Sequence, residues 1–280
     1  MKEAIEKKII PGPRILASTK AIVVTGSYGP KNLNYDINIL KGAAEADGEE
    51  GIVREVRNQI GKGADVVKIY ADYYWGLNNE AEPTFTLDEL KKAVEAASSS
   101  GRIVAVHSVT PEGMRRSILA GVTTIEHGDD GTPEIFKMMK EKGVALCPTI
   151  AASEAVEQYR GWRKGISTKE PERITQKKKS FKAALDAGVT ICMGGDVGVF
   201  KHGDNAREME CMVEYGMKPL DVLKSATSVN ADVFKINDKV GRIKEKLFAD
   251  IIVVEGDPSV NISDVRKTKL VMKDGAIYKQ

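Results

Sequence analysis

The chain has 280 residues, of which 42% are hydrophobic and 29% are charged, and its formal net charge is +2. These proportions are ordinary for a soluble globular protein, and the length suits one large domain or one domain with a small appendage. Because basic and acidic residues are nearly balanced, the composition favours neither a nucleic-acid partner nor a membrane-surface partner.

The first residues, MKEAIEKKIIPGPR, are typical of the end of an amphipathic helix followed by a Pro-Gly-Pro break. They lack the apolar region of a signal peptide, and no apolar run in the chain has the length of a transmembrane helix. The three cysteines, Cys147, Cys192 and Cys211, show no Cys-x-x-Cys spacing. They predict buried free thiols in a reducing compartment, so we expect a cytoplasmic protein.

The next elements are less regular. Residues Arg14–Val24 predict an early strand, and the Asn-, Gly- and acid-rich stretch from Pro30 to Glu50 predicts a long loop. After that loop the chain repeats one pattern, in which a helix-like run ends at a glycine and a short apolar strand follows. The repeats are KGADVVKIYAD, SGRIVAVHSV, AGVTTIEHGD, KGVALCPTI and AGVTICMGGD.

The segments between these strands predict helices. Thr86 with Glu89 three residues later forms a capping-box pattern, and the Thr-Pro-Glu triplets beginning at Thr110 and Thr132 each combine a cap with proline at the first helical position. The later segment ERITQKKKSFKAALDAG predicts a helix with a solvated basic face. Strands alternating with helices predict an α/β fold with a parallel sheet. About six such units point to a (β/α)8 barrel that is incomplete.

The tail changes character. FADIIVVEGDP and KLVMKDGAIYK, with the turn at Asp274 and Gly275, predict a strand and a hairpin. We therefore expect residues 1–240 to form the partial barrel domain and residues 241–280 to form a small β appendage.

Polar residues recur where the repeated strands end: Lys68, His107, His127, Thr149 and Asp196. Each alone has an ordinary structural explanation, such as packing or a helix cap. Because the carboxyl ends of barrel strands meet at one mouth, we expect the set to converge there. Imidazole and carboxylate are ligands for zinc and similar divalent ions, whereas a lysine becomes a ligand only when its charge is removed, for example by carbamylation.

The motifs GADVVKIYADY, VAVHSVTPEGMRRSILAGVTTIEHG, GGDVGVFKHGDNAREME and ADIIVVEGDP resemble the amidohydrolase superfamily, in the branch of imidazolonepropionase and the metal-dependent Xaa-Pro dipeptidases. The resemblance implies that Lys68 is carboxylated and bridges two metals, and that His107 and His127 bind the second of them. It also implies that Asp196 binds the first metal and shuttles a proton, and that His202 lies near the substrate. The late hairpin corresponds to part of the family's small β-sandwich.

The chain departs from the family pattern in one respect. The family's first strand carries a His-x-His motif that binds the first metal, and the only histidines here are His107, His127 and His202. We therefore expect a chain that lacks the N-terminal part of the fold, including two barrel units. It would hold one divalent ion at most, expected to be zinc, through Lys68, His107 and His127. An open barrel also exposes strand edges, so we expect low stability or a homo-oligomer.

The resulting functional prediction is a metal-dependent hydrolase of a C–N bond in a small dipeptide, amide or cyclic amide. Asp196 would relay a proton, and Tyr70 with its neighbouring aromatic residues would line the substrate pocket. Two alternatives stay open at this point. Lys68 could be the amine nucleophile of a Schiff-base lyase, or the chain could be a catalytically incomplete fragment.

Overall fold

A computed structural model describes residues 1–30, 34, 36–37 and 39–279. Its backbone contacts divide the chain into two compact units, Met1–Glu126 and His127–Gln280. The first unit alternates strands with helices on a parallel sheet, so the predicted α/β class is confirmed. Closure into a barrel and the boundary at residue 240 stay predictions.

The first unit is built on a parallel sheet. Its strands follow the order β2-β1-β3-β6-β7, and the pairs β1–β2, β1–β3 and β3–β6 are parallel. A separate antiparallel hairpin joins β4 to β5. The strands are β1 (Ile22–Val23), β2 (Ala44–Glu45), β3 (Val66–Tyr70), β4 (Asp72–Tyr74), β5 (Ala81–Pro83), β6 (Ile103–Ser108) and β7 (Thr124–His127), whose last residue is the first of the second unit, and the helices are α1 (Lys2–Glu6), α2 (Gly48–Gly61), α3 (Leu87–Ser98) and α4 (Pro111–Ala120).

The helices of this unit begin and end where local chemistry places them. The side chain of Thr86 accepts a hydrogen bond from the backbone of Glu89, whose own carboxylate binds the Thr86 backbone, so the predicted capping box is confirmed. Thr110 caps α4 through its side chain as well. That helix ends at Gly121, whose φ of +84° is a left-handed conformation that glycine adopts without steric cost.

Two sequence predictions for this unit need correction. The strand expected over Arg14–Val24 is only Ile22–Val23, because the described residues before it make no ladder with a neighbouring strand. The stretch Pro30 to Glu50 is not all loop, since Ala44–Glu45 pairs with β1 and α2 begins at Gly48. Residues 31–33, 35 and 38 of that stretch lie outside the described residues.

The second unit contains the remaining helices of the described chain and a small antiparallel sheet in the order β11-β10-β9. Strand β8 makes a parallel bridge from Leu146 to Ile191. A π-helical turn covers Ser225–Val229, and a 3₁₀ turn covers Ile262–Arg266. The strands are β8 (Ala145–Cys147), β9 (Ile251–Val254), β10 (Thr268–Lys273) and β11 (Ala276–Lys279), and the α-helices are α5 (Pro133–Lys142), α6 (Ile150–Tyr159), α7 (Glu172–Asp186), α8 (Ala206–Glu214), α9 (Pro219–Lys224) and α10 (Asn230–Val233).

Turn chemistry predicted the C-terminal hairpin correctly. Asp274 and Gly275 connect β10 to β11 with φ values of +51° and +77°, and two positive values match the tight hairpin turn that Asp-Gly favours. All three cysteines are buried thiols, as expected. In the described part of the chain, every helix is too short or too polar to span a bilayer.

Candidate active site

In the first unit, three predicted site residues share one face of the pair β3–β6. Lys68 and Tyr70 are two positions apart on β3, so their side chains leave the same face of the sheet. Tyr70 pairs in register with His107 on β6, and the two rings stack with centroids 4.7 Å apart. The Lys68 ammonium lies 5.9 Å from the centre of the Tyr70 ring. The first unit therefore brings Lys68, Tyr70 and His107 together.

A cluster of aromatic rings continues from this face. Tyr28 lies edge-on to Tyr70 at 5.4 Å and is tilted against Tyr73 at 5.3 Å, while Tyr70 and Tyr73 stack at 5.7 Å. Such pairs add attraction beyond the area they bury. The cluster gives Lys68 and His107 an aromatic wall, whereas the lining of a substrate pocket by Tyr70 stays a prediction.

Asp72 is a site residue that the sequence analysis missed. Its carboxylate is fully buried, lies 3.8 Å from Nε2 of His107, and accepts hydrogen bonds from the backbone of Val109 and from the backbone and hydroxyl of Thr110. The Ser108 hydroxyl also donates to it, at 2.7 Å. Burial raises the pKa of Asp72, and these hydrogen bonds oppose that rise. Asp72 therefore ties the end of β6 to β4 and faces the Nε2 side of the His107 ring.

In the second unit, three of the strand-end residues adopt left-handed backbone conformations. The φ values are +77° for His127, +50° for Thr149 and +56° for Asp196. This region is uncommon for residues other than glycine, and for a β-branched residue such as Thr149 it is an outlier. Such strain persists only where the surrounding structure enforces it, and it concentrates at functional sites.

His127 and Thr149 are directly connected. Nδ1 of His127 lies 2.7 Å from the Thr149 hydroxyl oxygen, and that hydroxyl donates its hydrogen to the carbonyl of Pro148 at 2.8 Å. A hydroxyl has a single hydrogen, so when that hydrogen goes to Pro148 the Thr149 oxygen accepts from His127, which requires the ring proton on Nδ1. Nε2 is then the ring nitrogen with the chemistry to bind a metal.

Asp196 follows two glycines that close packing requires. A Cβ on Gly194 would lie 2.6 Å from the sulfur of Cys147, and one on Gly195 would lie 3.1 Å from Cβ of Glu208. Asp196 is exposed, and within the described chain no helix begins at it, which removes the helix-cap alternative. The predicted substrate residue His202 lies exposed in the loop before α8.

Two further ionisable side chains of the second unit are buried, which the sequence analysis did not predict. Lys177 on α7 is 1% exposed, so the predicted solvated face is wrong for this residue. The signal was its spacing, three residues after Ile174 and four before Phe181, which are buried on the same helix face. Glu208 on α8 is also fully buried, and it accepts hydrogen bonds from the backbone nitrogens of Ile150 and Ala151.

The donor chemistry sets a condition on metal binding. Among the described residues, no three His, Cys, Asp or Glu side chains group closely enough to hold an ion. The ligand set expected from the sequence includes Lys68, and an ammonium group is not a ligand until it loses its charge. Carboxylation of Lys68 and its role as a metal ligand stay predictions from the sequence.

Comparison with known proteins gives a consistent relationship. The ochratoxinase of Aspergillus niger is 31% identical over 303 residues, an alignment that covers 99% of this chain and 62% of the ochratoxinase. The chain thus spans less than two thirds of that relative's length. The crystal structure of a Xaa-Pro dipeptidase with methionine bound in its active site superposes with a TM-score of 0.87 at 33% identity, covering 100% of this chain and 71% of the dipeptidase.

The structure of A. niger ochratoxinase superposes with a TM-score of 0.83 at 29% identity, covering 99% of this chain and 68% of that one. The model of the amidohydrolase family matches residues 1–278, which is nearly the whole chain. This match and the ochratoxinase identity agree with the motifs that end the strands. The chain belongs to the amidohydrolase family.

Proposed function

We propose that the protein acts as a metal-dependent hydrolase of a C–N bond in a small dipeptide or amide. The observation that carries the proposal is the shared face of β3 and β6, where Lys68, Tyr70 and His107 lie together in the first unit. The similarity to a Xaa-Pro dipeptidase supports a dipeptide as the first substrate class to test.

The residues that would hold the ion are those named from the sequence. Carboxylated Lys68, His107 and His127 would bind one divalent metal, expected to be zinc, at the family's second metal position, and Asp196 would belong to the first metal position. When bound, the metal supplies Lewis acidity, which polarises the scissile carbonyl and makes water a better nucleophile at neutral pH.

The chain's own residues would do the remaining work. Asp72 faces Nε2 of His107 and would limit rotation of that ring. Asp196 would accept the proton of the attacking water and transfer it to the leaving nitrogen. Tyr70, within the aromatic wall, and His202 would contact the substrate. Carboxylation of Lys68 requires its neutral amine to add CO₂ with loss of one proton, so bicarbonate has to be present during metal loading.

The test is reconstitution of the purified chain with zinc in bicarbonate buffer, followed by hydrolysis assays on a panel of Xaa-Pro dipeptides and N-acyl amino acids. We expect activity that a chelator abolishes and zinc restores, and that Lys68→Ala and His107→Asn each reduce at least a hundredfold. Lys182→Ala is the matched control, since this lysine is 70% exposed and pairs with Asp186 on its own helix.

The two alternatives predict different results. A Schiff-base lyase would resist chelation, and borohydride would trap its substrate covalently on Lys68, which mass spectrometry would detect. A catalytically incomplete chain would bind metal without hydrolysing any member of the panel. Activity that survives both the chelator and Lys68→Ala would refute the proposal.

Metal stoichiometry is a separate prediction. Because the sequence contains no His-x-His motif, we expect at most one tightly bound ion per chain. Elemental analysis after gel filtration measures the ratio directly, and two tightly bound ions per chain would contradict this prediction.

A further inference from the structure

One helix holds the turn that follows β7 at three consecutive residues. Nζ of Lys177 donates to the backbone carbonyl of His127 and to the Asp129 carboxylate, both at 2.6 Å. The Ser180 hydroxyl donates to the backbone carbonyl of Gly128 at 2.5 Å. We call Lys177 and Ser180 the α7 clamp. Both side chains are almost fully buried, so their contacts are sheltered from water.

A buried ammonium group stabilises helix packing poorly, because its charge has to be removed from water. Removing a charge from water is unfavourable, and a well-packed apolar side chain of similar size is often as stabilising as a buried ion pair. Asp129 compensates the charge of Lys177 and also pairs with Arg173 at 3.2 Å. Packing alone therefore does not require a lysine here, whereas binding the His127 carbonyl requires a donor at this position.

The contacts of the clamp fall where the backbone is strained. His127 has a φ of +77° and Gly128 has a φ of +61°, so the chain makes two left-handed residues in succession. For histidine this conformation costs free energy that neighbouring contacts have to offset. Donors on the carbonyls of both residues fix the orientation of the two peptide planes. That orientation places the His127 ring where Nδ1 reaches the Thr149 hydroxyl.

We propose that Lys177 and Ser180 are positioning residues that hold His127 in the Nδ1-protonated tautomer, with Nε2 as the ligating nitrogen. The ligand role of His127 rests on the proposed function, whereas the conformation and tautomer of the ring do not. Without the clamp the turn can leave the left-handed region, the bond to Thr149 lengthens, and the ring can exchange tautomers.

The experiment uses the full metal-free chain labelled with ¹⁵N-histidine. Two-bond ¹H–¹⁵N spectra distinguish the two neutral tautomers, and with only three histidines the signals can be assigned by His107→Asn and His202→Asn. The variants are Lys177→Met and Ser180→Ala. Lys182→Met is the matched control, because it removes an exposed lysine from the same helix.

We expect His127 to show the Nδ1-protonated pattern in the unmodified chain and in Lys182→Met. Lys177→Met should move at least half of the population to the other tautomer, and Ser180→Ala should move a smaller share in the same direction. Lys177→Arg keeps a donor and should restore the original pattern in part. If Lys177→Met does not fold, Ser180→Ala decides, since it removes one hydroxyl from an otherwise intact helix.

A second measurement connects the clamp to the site. Zinc affinity, measured by competition with a chromophoric chelator, should fall about 10- to 100-fold in Lys177→Met, the range seen when groups that orient a metal ligand are removed. If the unmodified chain binds no zinc, the proposed function fails and the spectra still test the clamp. An Nε2-protonated ring in the unmodified chain, or an unchanged tautomer in folded Lys177→Met and Ser180→Ala, would overturn the inference.

Discussion

Glu208 offers a quantitative test of the buried charges in the second unit. Its carboxyl group is fully buried and accepts hydrogen bonds from the backbone of Ile150 at 3.0 Å and of Ala151 at 2.7 Å. Burial raises the pKa of Glu208 to about 7, against the lowering by those two bonds and by the charge of Lys177, while Glu154 adds to the rise. The substitution Glu208→Gln removes the titration and keeps the shape of the side chain.

The direction of the pH dependence follows from the difference between the Glu208 pKa in the unfolded chain and in the folded chain. In the unfolded chain a glutamate ionises near pH 4.5, whereas in the folded chain Glu208 stays protonated to about pH 7. The stability that this group contributes is therefore fully present below pH 4.5 and is lost as the pH rises through 7. A shift of roughly 2.5 pKa units at 1.36 kcal/mol each gives a loss on the order of 3 kcal/mol.

The variant should show the opposite balance at the two ends of the pH range. At pH 5 the amide group introduced by Glu208→Gln leaves one backbone N–H without an acceptor, which costs about 1–3 kcal/mol relative to the unmodified chain. At pH 8 that deficit should disappear or reverse, because only the unmodified chain then has a buried carboxylate at this position. Urea unfolding at several pH values and constant ionic strength, followed by far-UV circular dichroism, measures the difference.

Glu141→Gln is the control, because Glu141 is a largely exposed glutamate at the end of α5. This variant should follow the unmodified chain at every pH, since exposed charges contribute little to stability. Parallel stability curves for Glu208→Gln and the unmodified chain between pH 5 and 8 would contradict a raised pKa for Glu208.

Three further predictions concern stability and reactivity. Gly113→Ala should destabilise the chain by about 1–3 kcal/mol, because its Cβ would lie 2.3 Å from a carboxylate oxygen of Asp72. Gly51→Ala should instead stabilise α2 by roughly 0.5–1 kcal/mol in the same urea assay, because its Cβ would enter open space. Thr86→Ala should cost about 1 kcal/mol by removing the α3 capping box. The three buried cysteines should react with an aromatic disulfide reagent only after unfolding, because burial shields them from the reagent and also raises the thiol pKa of Cys211 in the folded chain.

Each of these three predictions would be contradicted by a specific result. Equal effects of alanine at positions 113 and 51 would show that the space around Asp72 is not as close as described. An unchanged unfolding midpoint for Thr86→Ala would mean that the cap adds nothing to α3. Rapid reaction of any cysteine in the native chain would contradict its burial.

Local rules predicted much of the fold. The caps at Thr86, Thr110 and Thr132, and the glycines that end α4 and α5, depend on hydrogen bonds between residues at most a few positions apart. Short strands were not predicted, because they depend on pairing with residues that are remote in sequence. Ala44–Glu45 is a strand only because β1 lies beside it, and nothing in two residues of sequence indicates a pairing partner.

The candidate site likewise has features that the sequence predicts and features that only the tertiary structure shows. The sequence by itself identified the candidate residues at the strand ends, since Lys68 lies five residues after the glycine of its repeat and His107 and His127 each lie six after theirs. It also determined the family, because these residues stand within long matching motifs.

Only the tertiary structure decided how those side chains are held. Asp72 meets Ser108 across 36 residues of sequence, Lys177 reaches His127 across 50, and Glu208 binds Ile150 across 58. A charged side chain is most stable in water, and it is buried only where the fold supplies hydrogen-bond or ion-pair partners. Because those partners are remote in sequence, no local pattern encodes them, and the folded chain assigns each buried charge its role.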